Sequence, residues 1–112
     1  MVPQHVERFT CNVTPERDHV IVAPRGDLDM ATVGVVEREL RQLHESGFRR
    51  IVLDLAGLSF IDSSGLHLVM RWSAEASRDG FAFELEPGPP VVQRIFELAA
   101  VAEELPFRTR LR

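Results

Sequence analysis

The chain contains no lysine; all thirteen of its fixed positive charges are arginine. That absence removes several chemistries at once. A P-loop needs a lysine on its phosphates, Schiff-base catalysis needs an amine, and a phosphoaspartate receiver domain in its usual form places a lysine beside its acidic pocket. Cysteine is nearly absent as well. The lone Cys11 can form neither an internal disulfide nor a multi-cysteine zinc site, and its alternating, strand-like surroundings suit a buried, inert thiol. No basic stripe is present either: the formal net charge is -4, the pI is near 5.5, and charges of both signs are interspersed. This balance argues against nucleic-acid backbone or anionic lipid as a direct partner. No apolar run approaches the roughly 20 residues of a membrane span, and the N-terminus lacks a basic segment followed by an apolar run. The expected setting is therefore cytoplasmic, with no membrane partner. Internal repeats, low-complexity stretches and interdomain linkers are missing too, so 112 residues at 45% hydrophobic content read as one domain over 1–112, with its core at about 9–107.

What the sequence does contain is a regular succession of elements. Phe9-Thr-Cys-Asn-Val13 alternates apolar and polar residues, Val20-Ile-Val-Ala23 is a short apolar run, and the turn residues between them suggest a hairpin. Pro24 predicts that the second strand ends there or leaves its donor side free, with residues 26–29 following as a loop. Residues 31–46 carry Val33, Val36, Leu40 and Leu43 on one helical face, and Gly47 supplies the stop. The run 51–55 is continuously apolar but for Asp54, the pattern of a central strand buried on both faces. After a turn, a second helix over about 63–77 is expected to bury Leu66, Val69, Met70, Trp72, Ser73 and Ala76 and to turn His67, Arg71, Glu75 and Arg78 outward. A strand at 81–85, a third helix opened by Pro90, and an edge strand at 107–111 complete the succession.

This order predicts an α/β fold: a mixed, mostly parallel sheet of four to five strands, with an N-terminal hairpin and crossover helices mainly on one face. Loops 26–29 and 56–64 then meet at the C-terminal strand ends, where open sheets of this class place ligands. At the second of these loops, Asp62-Ser63-Ser64-Gly65 opens a helix. Unpaired amides and partial positive charge at a helix start favour hydroxyl caps and added anions such as a phosphate.

Two motifs, Gly26-Asp-Leu-Asp29 and Val52-Leu-Asp-Leu-x-x-Leu-Ser-Phe-Ile-Asp-Ser-Ser-Gly-Leu66, resemble the STAS domain of bacterial anti-sigma factor antagonists, and the resemblance runs from about Phe9 to Phe107. It implies a partner-switching protein that is not an enzyme. When unmodified, such an antagonist captures an anti-sigma factor that is also a serine kinase, and so frees a sigma factor. ATP and Mg2+ belong to that kinase, and the antagonist needs no cofactor or metal of its own. Phosphorylation at the first motif serine, which maps to Ser63, makes it let go; a phosphoprotein phosphatase resets it. Ser64 is the second choice of acceptor. The expected contact surface comprises Asp27, Asp29, Asp62, Ser63, Ser64, Gly65, Leu66, His67 and Arg71, on a monomer or weak dimer.

Each of these residues also has a plain reading. Ser63 suits an N-cap, and Asp62 either positions Ser63 or a kinase-bound metal or shares the capping. Asp27 and Asp29 suit caps favoured by a helix dipole as well as partner contacts. Gly65 serves close approach by a partner or tight helix–strand packing. Asp54 is a core polar group or part of an acidic edge; His67 and Arg71, with Leu68 flanking, belong to an interface or to a solvated face. A serine hydrolase built on Ser63 and His67 fares poorly, because the Gly-x-Ser-x-Gly elbow is missing and His67 has no evident orienting acid. A stronger rival is a STAS module that serves as a scaffold or ligand sensor without being phosphorylated. Two departures from the family pattern stand out: Ala99-Ala-Val101 continues apolar where a Gly-Leu turn is common, and His67 occupies a position where small or aliphatic residues are common.

Overall fold

In a computed structural model, residues 8–108 are described. Strand β1 (Thr10–Pro15) runs antiparallel to β2 (Val20–Leu28), pairing Thr10 with Arg25 through Pro15 with Val20. Helix α1 (Val33–Glu45) crosses over to β3 (Arg50–Asp54), which lies parallel to the first half of β2. After a short turn, β4 (Leu58–Ile61) pairs parallel with the second half of β2. Helix α2 (Ser63–Asp79) then leads to β5 (Ala82–Glu86), parallel to β3 on its far side, and α3 (Pro90–Leu98) follows. The five-stranded, mostly parallel sheet and the N-terminal hairpin agree with the sequence expectation.

Strand alternation divides the sheet into two unlike faces. Val20, Val22, Ile51, Leu53, Phe83 and Leu85 point to one side, where they join Val36, Leu40, Val69, Trp72, Val92 and Phe96 from the helices in one buried core. The other side carries Ile21, Val52 and Glu84 in register, and Val52, though fully buried, lies outside that core. Beside it Glu84 accepts hydrogen bonds from Arg50 and Arg108, so ionic groups line this face.

Several elements differ from expectation for physical reasons. Of the two outcomes that Pro24 allowed, strand β2 takes the second: it continues through the proline with that donor side free, so only the loop expected at 26–29 is overturned. The strand pairs with β3 at residues 20–22 and with β4 at residues 26–28, so Pro24 falls where the parallel partner is interrupted and its missing N–H is not needed. Gly26 marks a register shift there at φ +105°, a backbone state that side chains disfavour, and its N–H donates to the Gly57 carbonyl at 3.2 Å. Residues 26–28 are therefore strand rather than loop, and within 56–64 residues 58–61 are strand β4. On α2, Leu68 is fully buried while Met70 is 38% exposed, the reverse of their expected placing. Glu75 is half-buried against α1 instead of facing water. Helix α3 ends at Leu98 with Ala99 as its cap, and Ala100 takes φ +60°, the left-handed state for which the family's glycine is suited. Of the expected final strand, Phe107 makes a single parallel bridge to Leu85, and residues 109–112 lie outside the described residues.

Candidate functional site

The parallel pairing of β2 with β4 sets the two motifs side by side. Leu28 is in register with Ile61, both buried, and the Asp62 N–H extends the ladder by donating to the Leu28 carbonyl at 3.2 Å. Of the residues that follow, Asp62 caps α2 directly, whereas Asp29 opens the turn that leads to α1, whose cap is Thr32. Asp62 is the N-cap of α2 in extended conformation, its Oδ1 accepting from the Ser64 N–H at 2.8 Å and the Gly65 N–H at 3.3 Å. Asp29 organises the start of α1: its Oδ1 accepts from the Ala31 N–H at 3.0 Å and its carbonyl from the Val33 N–H at 2.8 Å. The Thr32 hydroxyl donates to the Asp27 carbonyl at 2.6 Å and accepts from the Asp29 N–H at 3.0 Å, tying the turn to the strand.

This corrects the reading of Ser63 as a cap. Asp62 does that work, and Ser63 is the first residue of α2, exposed, with its hydroxyl in no hydrogen bond among the described residues. Ser64 is half-buried. Asp27 is exposed on the strand face and in register with Phe60, which is 46% exposed. His67 lies one turn beyond Ser63, also exposed. Arg71, a further turn on, reaches back to the Glu37 carboxylate at 3.4 Å. Gly65 and Leu66, expected among the contacts, are buried and present little side-chain surface. A Cβ on Gly65 would stand 2.6 Å from Ile61 Cγ1 and 3.0 Å from Leu28 Cγ, so the glycine serves helix–strand packing. Asp54 has a local role as well, its Oδ1 accepting from the Ala56 N–H at 3.0 Å.

The expectation that the helix start offers free amides to a phosphate also needs revision. Asp62 takes the amides of Ser64 and Gly65 with its carboxylate and that of Leu66 with its carbonyl, at 3.0 Å. One anion is already seated there.

Apolar surface gathers at the same end of the fold. Met30, directly after Asp29, is 80% exposed and with Phe60 adds apolar area to the acidic strand ends; Met70, about two turns along α2, is exposed as well. Sequence reading missed these three. Met30 sits in a turn and Phe60 beside exposed Ser59, so neither falls in a periodic pattern that marks it as outward.

Farther along α2 the polar groups turn inward to α1. Glu37 accepts from the Trp72 indole N–H at 2.9 Å and from Arg41 at 3.1 Å, and the Arg41 guanidinium lies 4.5 Å from the Trp72 ring centroid. Burial pushes the Glu37 carboxyl up, but the bonds from Trp72 and Arg41 and the Arg71 and Arg41 charges outweigh it and hold the group below its usual range. Arg41 also binds both oxygens of Glu75, which raises its own ionisation further despite some desolvation. His44, Glu75 and Asp79 bring ligand-type atoms within 4.8 Å of one another, but with Glu75 engaged by Arg41 the cluster belongs to this ion-pair lattice. On the sheet, burial and then Glu39 push the Cys11 thiol up to about 11, so it stays protonated at neutral pH, in line with an inert thiol.

A mixed α/β domain in which the two motif-bearing strands end side by side is the class that this geometry defines. The chain belongs to the STAS domain family: the family described as "Mlab, STAS domain" matches residues 11–109. Among solved structures, an anti-sigma factor antagonist from Mycobacterium paratuberculosis superposes with a TM-score of 0.76 at 20% identity, covering 93% of this chain and 88% of that one. SpoIIAA in its unphosphorylated form gives 0.74 at 22% identity, covering 94% and 90%. The Bacillus cell fate determinant SpoIIAA in its phosphorylated form gives 0.69 at 21% identity, covering 94% and 93%. Among the described residues no helix is long and apolar enough to cross a membrane.

Proposed function

We propose that this chain is an anti-sigma factor antagonist whose Ser63 edge binds an anti-sigma factor with serine kinase activity. The observation that carries this reading is the exposed Ser63 hydroxyl, uncommitted at the first residue of α2 and flanked by the acidic ends of β2 and β4. In the kinase step, Ser63 Oγ attacks the γ-phosphorus of ATP. The bond to the bridging oxygen breaks, ADP leaves, and the hydroxyl proton passes to a base of the kinase. ATP and Mg2+ belong to the partner, and a phosphatase reverses the step by hydrolysis.

The phosphate adds about -1.5 to -2 charge at neutral pH. Across an interface, one unit charge at ~4 Å from a like charge costs about 4 kcal/mol at an effective dielectric of 20, roughly a thousandfold in affinity. Within the fold the effect is small, because Ser63 is exposed and its hydroxyl holds nothing in place. Modification therefore governs binding while the fold stays nearly unchanged. Likeness to SpoIIAA structures in both phosphorylation states supports a fold that accommodates either form.

The deciding experiment is a pull-down with the cognate anti-sigma factor, comparing wild type, Ser63→Ala and Ser63→Asp. Retention with Ala and loss with Asp is expected; equal binding by all three overturns the switch. A second reading, a STAS module that holds its partner without modification, fits the same family match. Intact mass after incubation with kinase and ATP separates the two: one added phosphoryl group supports the switch, and an unchanged mass supports the module.

A further inference from the structure

Resting on the reading of Ser63 as a phosphoacceptor, we propose that His67 is the intramolecular partner of the phosphate, donating a side-chain N–H to it one turn along α2. A phosphoryl group at a helix start ordinarily finds backbone amides, but here Asp62 binds those of Ser64, Gly65 and Leu66, which leaves it at most the N–H of Ser63 itself. The acidic side chains at the neighbouring strand ends, Asp27 on β2, Asp29 just after it and Asp62 after β4, repel it. Donors must therefore come from α2 itself.

Two side chains on the outward face of α2 qualify. His67 follows Ser63 by four residues, the spacing that brings side chains together on a helix, with the anion toward the N-terminus and the donor after it, the more favourable order. Its ring is exposed and, among the described residues, uncommitted, and its neighbours Leu66 and Leu68 are buried, so it faces the same water as Ser63. Arg71 stands eight residues on, about 12 Å along the axis, and already pairs with Glu37 of α1. His67 is the donor within reach. It would hold the phosphate against the outer face of α2, setting the direction in which the mark meets a partner.

The test uses the full chain with phosphoserine installed at position 63 during translation, so that it does not depend on any kinase. Phosphorus NMR follows the second ionisation of the phosphate with pH in wild type, His67→Ala and Arg71→Ala. A donor beside the dianion favours it, so the midpoint in His67→Ala is expected about half a unit above wild type, with Arg71→Ala at the wild-type value. Coincident titrations of wild type and His67→Ala overturn the proposal, as does a shift in Arg71→Ala equal to that in His67→Ala. Circular dichroism verifies that both variants are folded. Failure of the kinase reading shows instead as an unchanged mass with ATP, whatever the phosphorus titration gives.

Discussion

In the middle of α2, Trp72, Glu75 and Arg71 all reach across to α1, and the polar groups there are bound by one another. At the first turn of the same helix, Ser63 and His67 touch nothing that holds the fold together, although Asp62, just before them, binds three amides. Both stretches carry a similar mix of polar and apolar residues. The difference lies in what stands beside them: α1 packs against the middle, whereas beside the first turn come the strand ends and the turn at 29–32. A helix end left uncommitted by packing is free to take on a partner or a modification without disturbing the core. Fold and function are thereby divided along one element.

The strongest way to break this division is to attack its structural half. Trp72→Ala should lower stability by about 3–5 kcal/mol, since the side chain is almost wholly buried and its removal leaves a cavity as well as an unmatched Glu37. Urea unfolding measures it; a loss under about 1 kcal/mol would show that the α1–α2 seam is not where α2 is anchored. Gly65→Ala probes the boundary between the halves. The added methyl meets Ile61 and Leu28, at about 1–3 kcal/mol for overpacking, and regains about 1 kcal/mol in helix propensity. A net loss of about 0–2 kcal/mol is expected by the same measurement, and a stabilised variant would mean that the first turn packs more loosely than its contacts indicate.

The structural half was also the legible half. Helices α1 and α2 announced themselves through apolar spacing, and β3 through its continuous run, because burial against a sheet imposes a period on sequence. Strand β4 was hidden: it has four residues, and Ser59 and Phe60 are both exposed, which destroys alternation. The extension of β2 was hidden by Pro24, whose tolerance depends on a gap in a partner strand that no local pattern records. At the edge, the convergence of 26–29 with 56–64 followed from topology alone, and Ser63 followed from family resemblance. Its division of labour with Asp62 did not, since aspartate and serine both suit a cap and only backbone geometry decides. Met30 and Phe60 left no trace in the sequence, because exposure of an isolated apolar residue is set by tertiary neighbours.

Acid sharpens the comparison by a smaller amount. The Glu37 carboxyl ionises below its unfolded value of 4.5 in the folded chain, so its stabilisation is fully present above that pH and is lost as pH falls through the folded-state value. Glu37→Gln should therefore be less stable than wild type by about 1 kcal/mol at pH 7, discounted by screening because the side chain is 30% exposed, with the gap closing below about pH 4.5. Urea midpoints across pH 3–7 for the two proteins give this difference. A gap that is constant with pH would mean that the loss does not come from the charge on the Glu37 carboxylate.

The smallest effect is the most telling one. If Asp62 caps α2 and Ser63 does not, Asp62→Ala costs about 1 kcal/mol while Ser63→Ala stays within about 0.5 kcal/mol of wild type, with any change on the stabilising side because alanine is the better helix former. Thermal unfolding of the two variants in parallel measures both. A Ser63→Ala loss equal to that of Asp62→Ala would return the serine to a structural role, and a phosphate there would then disturb the helix it starts. A Ser63→Ala protein as stable as wild type leaves the hydroxyl with nothing to do inside the molecule, which is the condition for a residue whose chemistry is directed outward.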